Sequence, residues 1–149
     1  MGYTGAASGV TPDASVAESA FISIKSDEDL IAARHHGRVL AERLGFGRSE
    51  ATLVATAISE LARNIVLYAG SGEIVLTRVE DGEQQGICIV ARDDGPGIAN
   101  TNIALEVGYS TSGGLGLGLP GVRRIMDEFE ITSKADSGTV VRAVRWKRR

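Results

Sequence analysis

Three short segments of the chain carry residue types that could bind a nucleotide and assist phosphoryl transfer. The first, residues 59–70, reads SELARNIVLYAG and places Glu60 four residues before Asn64. The second, residues 91–99, reads ARDDGPGIA, and the third, residues 110–122, reads STSGGLGLGLPGV. A carboxylate, an amide and two glycine-rich loops suit a proton acceptor, an ion ligand and a phosphate-binding backbone. Together they predict a nucleotide pocket.

Glu60 and Asn64 lie one turn apart on a segment with helical periodicity. The stripe that we expect to face the core comprises Val54, Ile58, Leu61 and Ile65. Glu60 lies beside apolar residues, and a carboxylate placed there needs a partner to offset its desolvation. A magnesium-phosphate group would be one, with Asn64 offering an oxygen and Glu60 accepting a proton. The alternative, a local hydrogen bond to Glu60 from Arg63 or Asn64, is the better interpretation for the pair alone.

Asp93 ends an apolar run and precedes Gly95 and Gly97. Its carboxylate can accept a hydrogen bond from an amine such as that of adenine, and glycines let the backbone approach a flat ring. Taken alone, DDGPG is also an ordinary turn sequence. The neighbouring segments favour the nucleotide interpretation.

The third segment places glycines directly before a predicted helix. Its central residues are Gly114, Leu115, Gly116, Leu117 and Gly118. Successive backbone N–H groups and the positive end of a helix can hold phosphates there. Residues 116–121 also match the G-x-G-x-x-G pattern of dinucleotide folds. The preceding segment does not resemble a strand and too little chain remains for a doubly wound sheet, so ATP is favoured.

The composition indicates one compact domain, because the chain has 149 residues and 43% hydrophobic content. Its net charge of -3 gives no general electrostatic reason to bind nucleic acid or an anionic membrane. No apolar stretch is long enough to cross a bilayer, and we expect a cytoplasmic protein. The basic residues 145–149 are expected to be solvated. Cys88, the only cysteine, is expected to be a buried hydrophobe.

The order of predicted elements indicates the fold. Residues 1–19 are predicted to be a flexible leader, and residues 20–149 the folded domain. Strands are predicted at 20–25, 73–80, 86–93, 129–134 and 139–146. Helices are predicted from Ser26 or Asp27, from Ser49 as a cap to about Ala69, and over about 119–128. The fold class is therefore α/β (α+β), a two-layer sandwich of a mixed, mostly antiparallel sheet with helices on one face.

In this order and spacing, the three segments resemble the N, G1 and G2 boxes of the GHKL ATPase superfamily. The phrases SELARNIVLYAG, DDGPGI and GYSTSGGLGLGLPGVRRIMDEF most closely resemble the anti-sigma-factor serine/threonine kinases, and among them the switch kinases of stressosomes. The resemblance runs from about residue 20 to the end of the chain and implies a GHKL ATP-binding kinase domain.

The resemblance implies a role for each matching residue. It makes Glu60 the catalytic base, Asn64 the magnesium ligand and Asp93 the adenine-binding aspartate, which Thr139 supports. Residues 99–113 would form a lid over ATP. The glycines that would contact the nucleotide are Gly95, Gly97, Gly114, Gly116 and Gly118.

The reaction implied is transfer of the ATP γ-phosphate, with Mg²⁺, to a serine or threonine of STAS-domain stressosome proteins. The kinase would then activate a PP2C-type phosphatase that ultimately frees a sigma factor. Three alternatives stay open: an anti-sigma factor that sequesters a sigma subunit directly, a histidine-kinase catalytic domain, and a nonenzymatic binding module. Arg34, His35, His36 and Arg38 make the first helix a candidate partner surface, although a charged helix face is more often only solvated.

Overall fold

The computed structural model describes residues 19–95, 118–133 and 137–148. These residues form five strands and three helices. In chain order the elements are β1 (Ser19–Ile24), α1 (Asp27–Arg43), α2 (Arg48–Tyr68), β2 (Gly72–Asp81), β3 (Gln84–Asp93), α3 (Gly118–Ile125), β4 (Glu128–Ser133) and β5 (Thr139–Trp146). Each predicted strand and helix is present.

The five strands form one sheet in the order β1-β2-β3-β5-β4, and each of its four pairings is antiparallel. A two-residue turn at Gly82 and Glu83 joins β2 to β3, so this hairpin is longer than predicted. The order places β5 between β3 and β4, which brings the end of β3 beside the start of β5. The predicted α+β fold with a mostly antiparallel sheet is confirmed.

The core lies between the helices and one face of the sheet. The predicted stripe on α2 is fully buried, with Ile58 and Val54 0% exposed. Gly37 of α1 faces Ile58, and a Cβ at this glycine would lie 2.0 Å from Ile58 Cδ1. The missing side chain therefore lets α1 and α2 approach each other closely, which holds α2 against the sheet.

The ends of the helices follow recognisable caps, with two differences from the predictions. Ser26 caps α1 by accepting a hydrogen bond from the Asp29 backbone N–H. The predicted cap of α2 is wrong: Gly47 occupies that position, and no side chain caps this helix. The third helix ends at Ile125, three residues earlier than predicted, because Glu128 already pairs with β5.

The sequence predicted that the basic C-terminal residues are simply solvated, and this prediction is wrong for Arg145. Arg145 belongs to β5 and is only 9% exposed. Its guanidinium contacts Glu50 of α2 and donates a hydrogen bond to the Ile125 backbone oxygen at the end of α3. Arg148 pairs with Asp127 on the surface. Arg145 thus joins the sheet to two helices, a role that a local charge pattern does not reveal.

Two further predictions concern Cys88 and the absence of a membrane-spanning segment. Cys88 is buried as expected, and burial raises the pKa of its thiol, which disfavours the reactive thiolate. Among the described residues, no helix combines the length and apolar character that a bilayer crossing requires.

Candidate functional site

Glu60 is the most buried carboxylate of the candidate site. Its side chain lies on α2 with 7% exposure, and Oε1 accepts a hydrogen bond from the Gly118 backbone N–H over 2.9 Å. The predicted local partners, Arg63 and Asn64, do not hold it. Gly118 lies in the third segment, is the first residue of α3 and has a φ of 67°. The hydrogen bond therefore ties Glu60 to the point where this segment enters α3. The bond satisfies one carboxylate oxygen, and Oε2 has no hydrogen bond to a described residue.

Asn64 lies one turn after Glu60 on α2 and is half-buried. Its side chain makes no hydrogen bond to another residue in the described part of the chain. The same part contains no group of three His, Cys, Asp or Glu side chains arranged as metal ligands. An ion here would therefore take the Asn64 oxygen together with phosphate and water oxygens, which is the coordination that Mg²⁺ favours.

Asp93 stands at the end of β3, where its carboxylate is held by backbone groups. The Gly95 N–H donates to Asp93 Oδ1 over 2.8 Å. Burial raises the pKa of the Asp93 carboxyl, whereas hydrogen bonds from the backbones of Gly95 and Thr139 act in the opposite direction. These bonds orient the carboxylate. Because a carboxylate has about four acceptor sites, it can accept a further hydrogen bond from a ligand.

Thr139 lies directly opposite Asp93 in the β3–β5 register, as the resemblance implied for a residue that supports it. Its backbone, rather than its hydroxyl, acts on the Asp93 carboxyl. The Thr139 hydroxyl is 2.8 Å from that of Ser133, which also donates to the Gly138 backbone oxygen over 3.0 Å. The threonine side chain thus secures the start of β5 to the end of β4.

Close backbone packing brings Asp93 next to the end of α2. A Cβ at Gly72 would lie 2.4 Å from the Arg92 backbone oxygen and 2.9 Å from Ile65 Cγ2. A Cβ at Gly95 would lie 2.5 Å from Cβ of Ala69. Ile65 follows Asn64 directly, so the last turns of α2 and the Asp93 loop meet at one end of the sheet. The structure therefore brings the carboxylates and the amide of the first two segments into one region.

Gly138 is a site residue that the sequence predictions missed. It has a φ of 86°, and a Cβ there would lie 2.2 Å from the Asp93 backbone oxygen. We expect Gly138→Ala to lower the free energy of unfolding by about 2–4 kcal/mol, because left-handed strain and a backbone clash add. Urea denaturation of the purified variant measures this loss.

Gly70→Ala is the matched control for that experiment. Gly70 has the same φ of 86°, but nothing lies within 4 Å of a Cβ at this position. Gly70→Ala should lower the free energy of unfolding only by the backbone strain, about 1–2 kcal/mol. Equal losses in the two variants would mean that the close approach of Gly138 to Asp93 is unimportant.

Some of the predicted site lies outside the described residues. This applies to Gly97, to the proposed lid at 99–113 and to residues 110–117 of the third segment, which include Gly114, Leu115, Gly116 and Leu117. It also applies to residues 1–18 of the predicted leader. Gly138 had one signal in the sequence, its position in a turn directly before a strand. Gly72 had the same signal, because it directly precedes the predicted strand at 73–80, but its close approach to Ile65 depends on the packing of α2 against the sheet.

Comparisons with known proteins place this geometry in a family. A family profile described as histidine kinase-, DNA gyrase B-, and HSP90-like ATPase matches residues 49–149. The serine/threonine-protein kinase RsbT of Bacillus subtilis (strain 168) is 50% identical over 127 residues, which cover 85% of this chain and 96% of that protein. An anti-sigma F factor of Bacillus cereus is 27% identical over 119 residues, covering 76% of this chain and 82% of its own.

A solved structure supports the fold independently. The SiaB-SiaC complex of Pseudomonas aeruginosa contains a chain that matches with a TM-score of 0.56 at 17% identity, covering 86% of this chain and 88% of that one. The predicted superfamily and the predicted serine/threonine kinase function are confirmed by the similarity to the profile and to RsbT. The chain belongs to the histidine kinase-, DNA gyrase B- and HSP90-like (GHKL) ATPases and, within them, to the anti-sigma-factor serine/threonine kinases.

Proposed function

We propose that this kinase transfers the γ-phosphate of ATP to a serine or threonine of STAS-domain stressosome proteins. After release from them it would activate a PP2C-type phosphatase, a switch that acts on a sigma factor. The observation that carries the proposal is the buried Glu60 carboxylate, which accepts a hydrogen bond from the first residue of α3 and lies one turn from Asn64. The similarity to RsbT supports this choice of reaction. Because ATP is its phosphate donor, we place the activity in the cytoplasm.

Glu60 acts as the general base in this proposal. Oε1 accepts the hydrogen bond from Gly118, and Oε2 takes the proton of the substrate hydroxyl. At the same time the oxygen of that hydroxyl forms a bond to the γ-phosphorus. The bond between the γ-phosphorus and the bridging oxygen breaks, and ADP leaves. Burial excludes water, which would otherwise compete with the hydroxyl as acceptor.

The other residues bind and orient ATP. Asp93 accepts a hydrogen bond from the adenine amine, Thr139 supports Asp93, and Gly95 and Gly97 take the role of the G1 glycines that the resemblance gives them. Asn64 would hold Mg²⁺, which would neutralise charge on the phosphate oxygens. The N–H groups of the glycine segment from Gly114 to Gly118 would hold the phosphates ahead of α3.

A second candidate function is direct sequestration of a sigma subunit. The similarity to an anti-sigma F factor motivates it. Both functions need ATP, so nucleotide binding does not separate them. Pull-down of the purified chain against a sigma subunit, a STAS protein and a PP2C phosphatase does. If the chain retained only the sigma subunit, direct sequestration would replace the switch as the proposed function.

Phosphorylation of a purified protein tests the proposal directly. We expect label from γ-labelled ATP and magnesium to appear on a STAS-domain protein and to survive acid, because phosphoserine and phosphothreonine are acid-stable. Label that is lost in acid would indicate phosphohistidine. A chain that binds ATP but labels no candidate would overturn the proposed reaction.

A further inference from the structure

The short helix α3 is attached to α2 at both of its ends. At its start, the Gly118 backbone N–H donates to Oε1 of Glu60 over 2.9 Å. At its end, the Arg145 guanidinium donates to the Ile125 backbone oxygen. The same guanidinium contacts Oε1 of Glu50, over 3.2 Å from Nε and 3.1 Å from Nη2. We call this connection from the end of α3 through Arg145 to Glu50 the Arg145 bridge.

The two attachments fix the position of α3 along α2. With a rise of about 1.5 Å per residue, Glu50 and Glu60 lie roughly 15 Å apart along α2. By the same measure, Gly118 and Ile125 lie roughly 10 Å apart along α3. Because the start of α3 meets Glu60 while its end is joined to Glu50, the two helices run in opposite directions. A shift of α3 along α2 would therefore stretch one attachment or the other.

The sheet places the Arg145 bridge. Arg145 lies on the same face of β5 as Val141 and Ala143, which are buried under the helices. The residue before it, Val144, accepts a hydrogen bond from the backbone N–H of Asp127 over 2.8 Å, directly after α3 has ended. The guanidinium therefore reaches α3 from a strand that is itself fixed in the sheet.

An arginine suits this place because its planar guanidinium carries several donors in a fixed arrangement. One nitrogen satisfies the Ile125 oxygen, which is one of the carbonyls that a helix end leaves without a partner inside the helix. The positive charge also lies at the negative end of the helix dipole. Burying an ion pair adds little net stability, since the cost of desolvation offsets the attraction. The geometry of the bridge therefore matters more than its strength.

The start of α3 is the point at which the candidate site is sensitive to position. The Gly118 N–H orients Oε1 of Glu60, and the residues before Gly118 would offer their N–H groups to the phosphates. A misplacement of about 1 Å can lower a reaction rate about a hundredfold. Since α3 is a regular helix of eight residues, a displacement of its end also moves its start.

We propose that Arg145 and Glu50 are positioning residues for phosphoryl transfer. By holding the end of α3 against the first turn of α2, they set the place at which Gly118 meets Glu60, and so they orient the oxygen that takes the proton. Neither residue contacts ATP or the substrate hydroxyl. The inference rests on the proposed kinase function and adds to it two residues outside the three segments that carry the chemistry.

Arg145→Lys tests the proposal, because lysine keeps the positive charge but has a single nitrogen in place of the planar fork. We expect the single-turnover rate of transfer to a STAS-domain protein, at saturating Mg-ATP, to fall roughly tenfold, as for a shift of less than an ångström. The KM for the protein substrate should stay within about twofold, because the bridge does not bind that substrate.

Arg142→Lys is the matched control on the same strand. Arg142 lies on the other face of the sheet, where it pairs with Glu128 and Glu130. This variant should transfer phosphate within about twofold of the wild-type rate, since exposed ion pairs contribute little. Equal losses in the two lysine variants would contradict the proposal.

A double variant separates position from stability. Arg145→Met/Glu50→Met removes the bridge without leaving an unpaired buried charge, and such replacements are often neutral for stability. We expect the urea midpoint of unfolding to be retained and the transfer rate to fall as in Arg145→Lys. A stable double variant that transfers phosphate at the wild-type rate would show that the bridge has no part in positioning.

The effect of the bridge should depend on the presence of the base. In the Glu60→Gln background, Arg145→Lys should change the remaining slow transfer by no more than about twofold, because the group that the bridge positions is already lost. A bridge that only stabilises the fold would lower the rate by the same factor in both backgrounds, and that result would refute a role through Glu60.

Hydrogen exchange of the Gly118 amide reports the contact without any phosphoryl transfer. Measured by NMR, it should be faster in Arg145→Lys than in the wild type, while the amide of Ile58 in the middle of α2 keeps its protection. Unchanged exchange at Gly118 would overturn the proposal and leave the kinase function standing. If the wild type transfers no phosphate to any STAS protein, the proposed function fails, and the role of the bridge in transfer fails with it.

Discussion

Replacing Glu60 with Gln is expected to leave ATP binding intact and to lower the rate of phosphoryl transfer about a hundredfold to ten-thousandfold. Glutamine keeps the shape of the side chain, and its Oε1 can still accept the Gly118 N–H bond. The start of α3 therefore stays in place, while the group that would take the substrate proton is lost. Single-turnover transfer to the protein substrate measures the rate, and calorimetry with Mg-ATP measures the binding.

Two comparisons make the Glu60 result interpretable. Glu42→Gln changes an exposed carboxylate on α1 and should transfer phosphate at the wild-type rate. Glu60→Ala removes both the proton acceptor and the partner of Gly118, and an unsatisfied buried N–H costs about 1–3 kcal/mol of stability. If Glu60→Gln transferred phosphate normally while Glu60→Ala unfolded more readily, Glu60 would be a structural partner of α3 and not a base.

Asp93→Asn is expected to weaken Mg-ATP binding about tenfold to a hundredfold, because hydrogen bonds to charged groups contribute about 1.5–3 kcal/mol. Asparagine can still accept the Gly95 N–H that Asp93 Oδ1 accepts. The asparagine NH₂ group then faces the adenine amine, where Asp93 has a second oxygen that accepts. Two donors then face each other, and the hydrogen bond to adenine is lost. Isothermal calorimetry at neutral pH measures the change in Kd.

The neighbouring carboxylate supplies the control for Asp93. Asp94 is exposed and is the residue next to it, so Asp94→Asn removes the same charge without removing a backbone-held acceptor. Its Kd for Mg-ATP should stay within about twofold of the wild-type value. Wild-type affinity in Asp93→Asn would disprove the adenine assignment, whereas equal losses in both variants would indicate a general charge effect.

Local patterns were sufficient for the fold class and for the order of the elements. Helical periodicity placed Val54 and Ile58 in the core, and alternation located the strands within a few residues. The errors in the elements lie at helix ends, where Gly47 replaced Ser49 as the cap of α2, and the buried Arg145 was wrongly expected to be solvated. Serine is only modestly preferred over glycine at this position, so the choice between Ser49 and Gly47 depends on where the chain turns.

The amino-acid order by itself determined which side chains can take part in chemistry: a carboxylate and an amide one helical turn apart, an aspartate at a strand end, and glycines before a helix. Only the tertiary structure decided how they are held. Glu60 is bonded to Gly118, 58 residues away, and Arg145 to Glu50, 95 residues away. Such bonds depend on strand register and on the packing of helices against the sheet, which arise from the summed burial of the whole core rather than from the residues near each site.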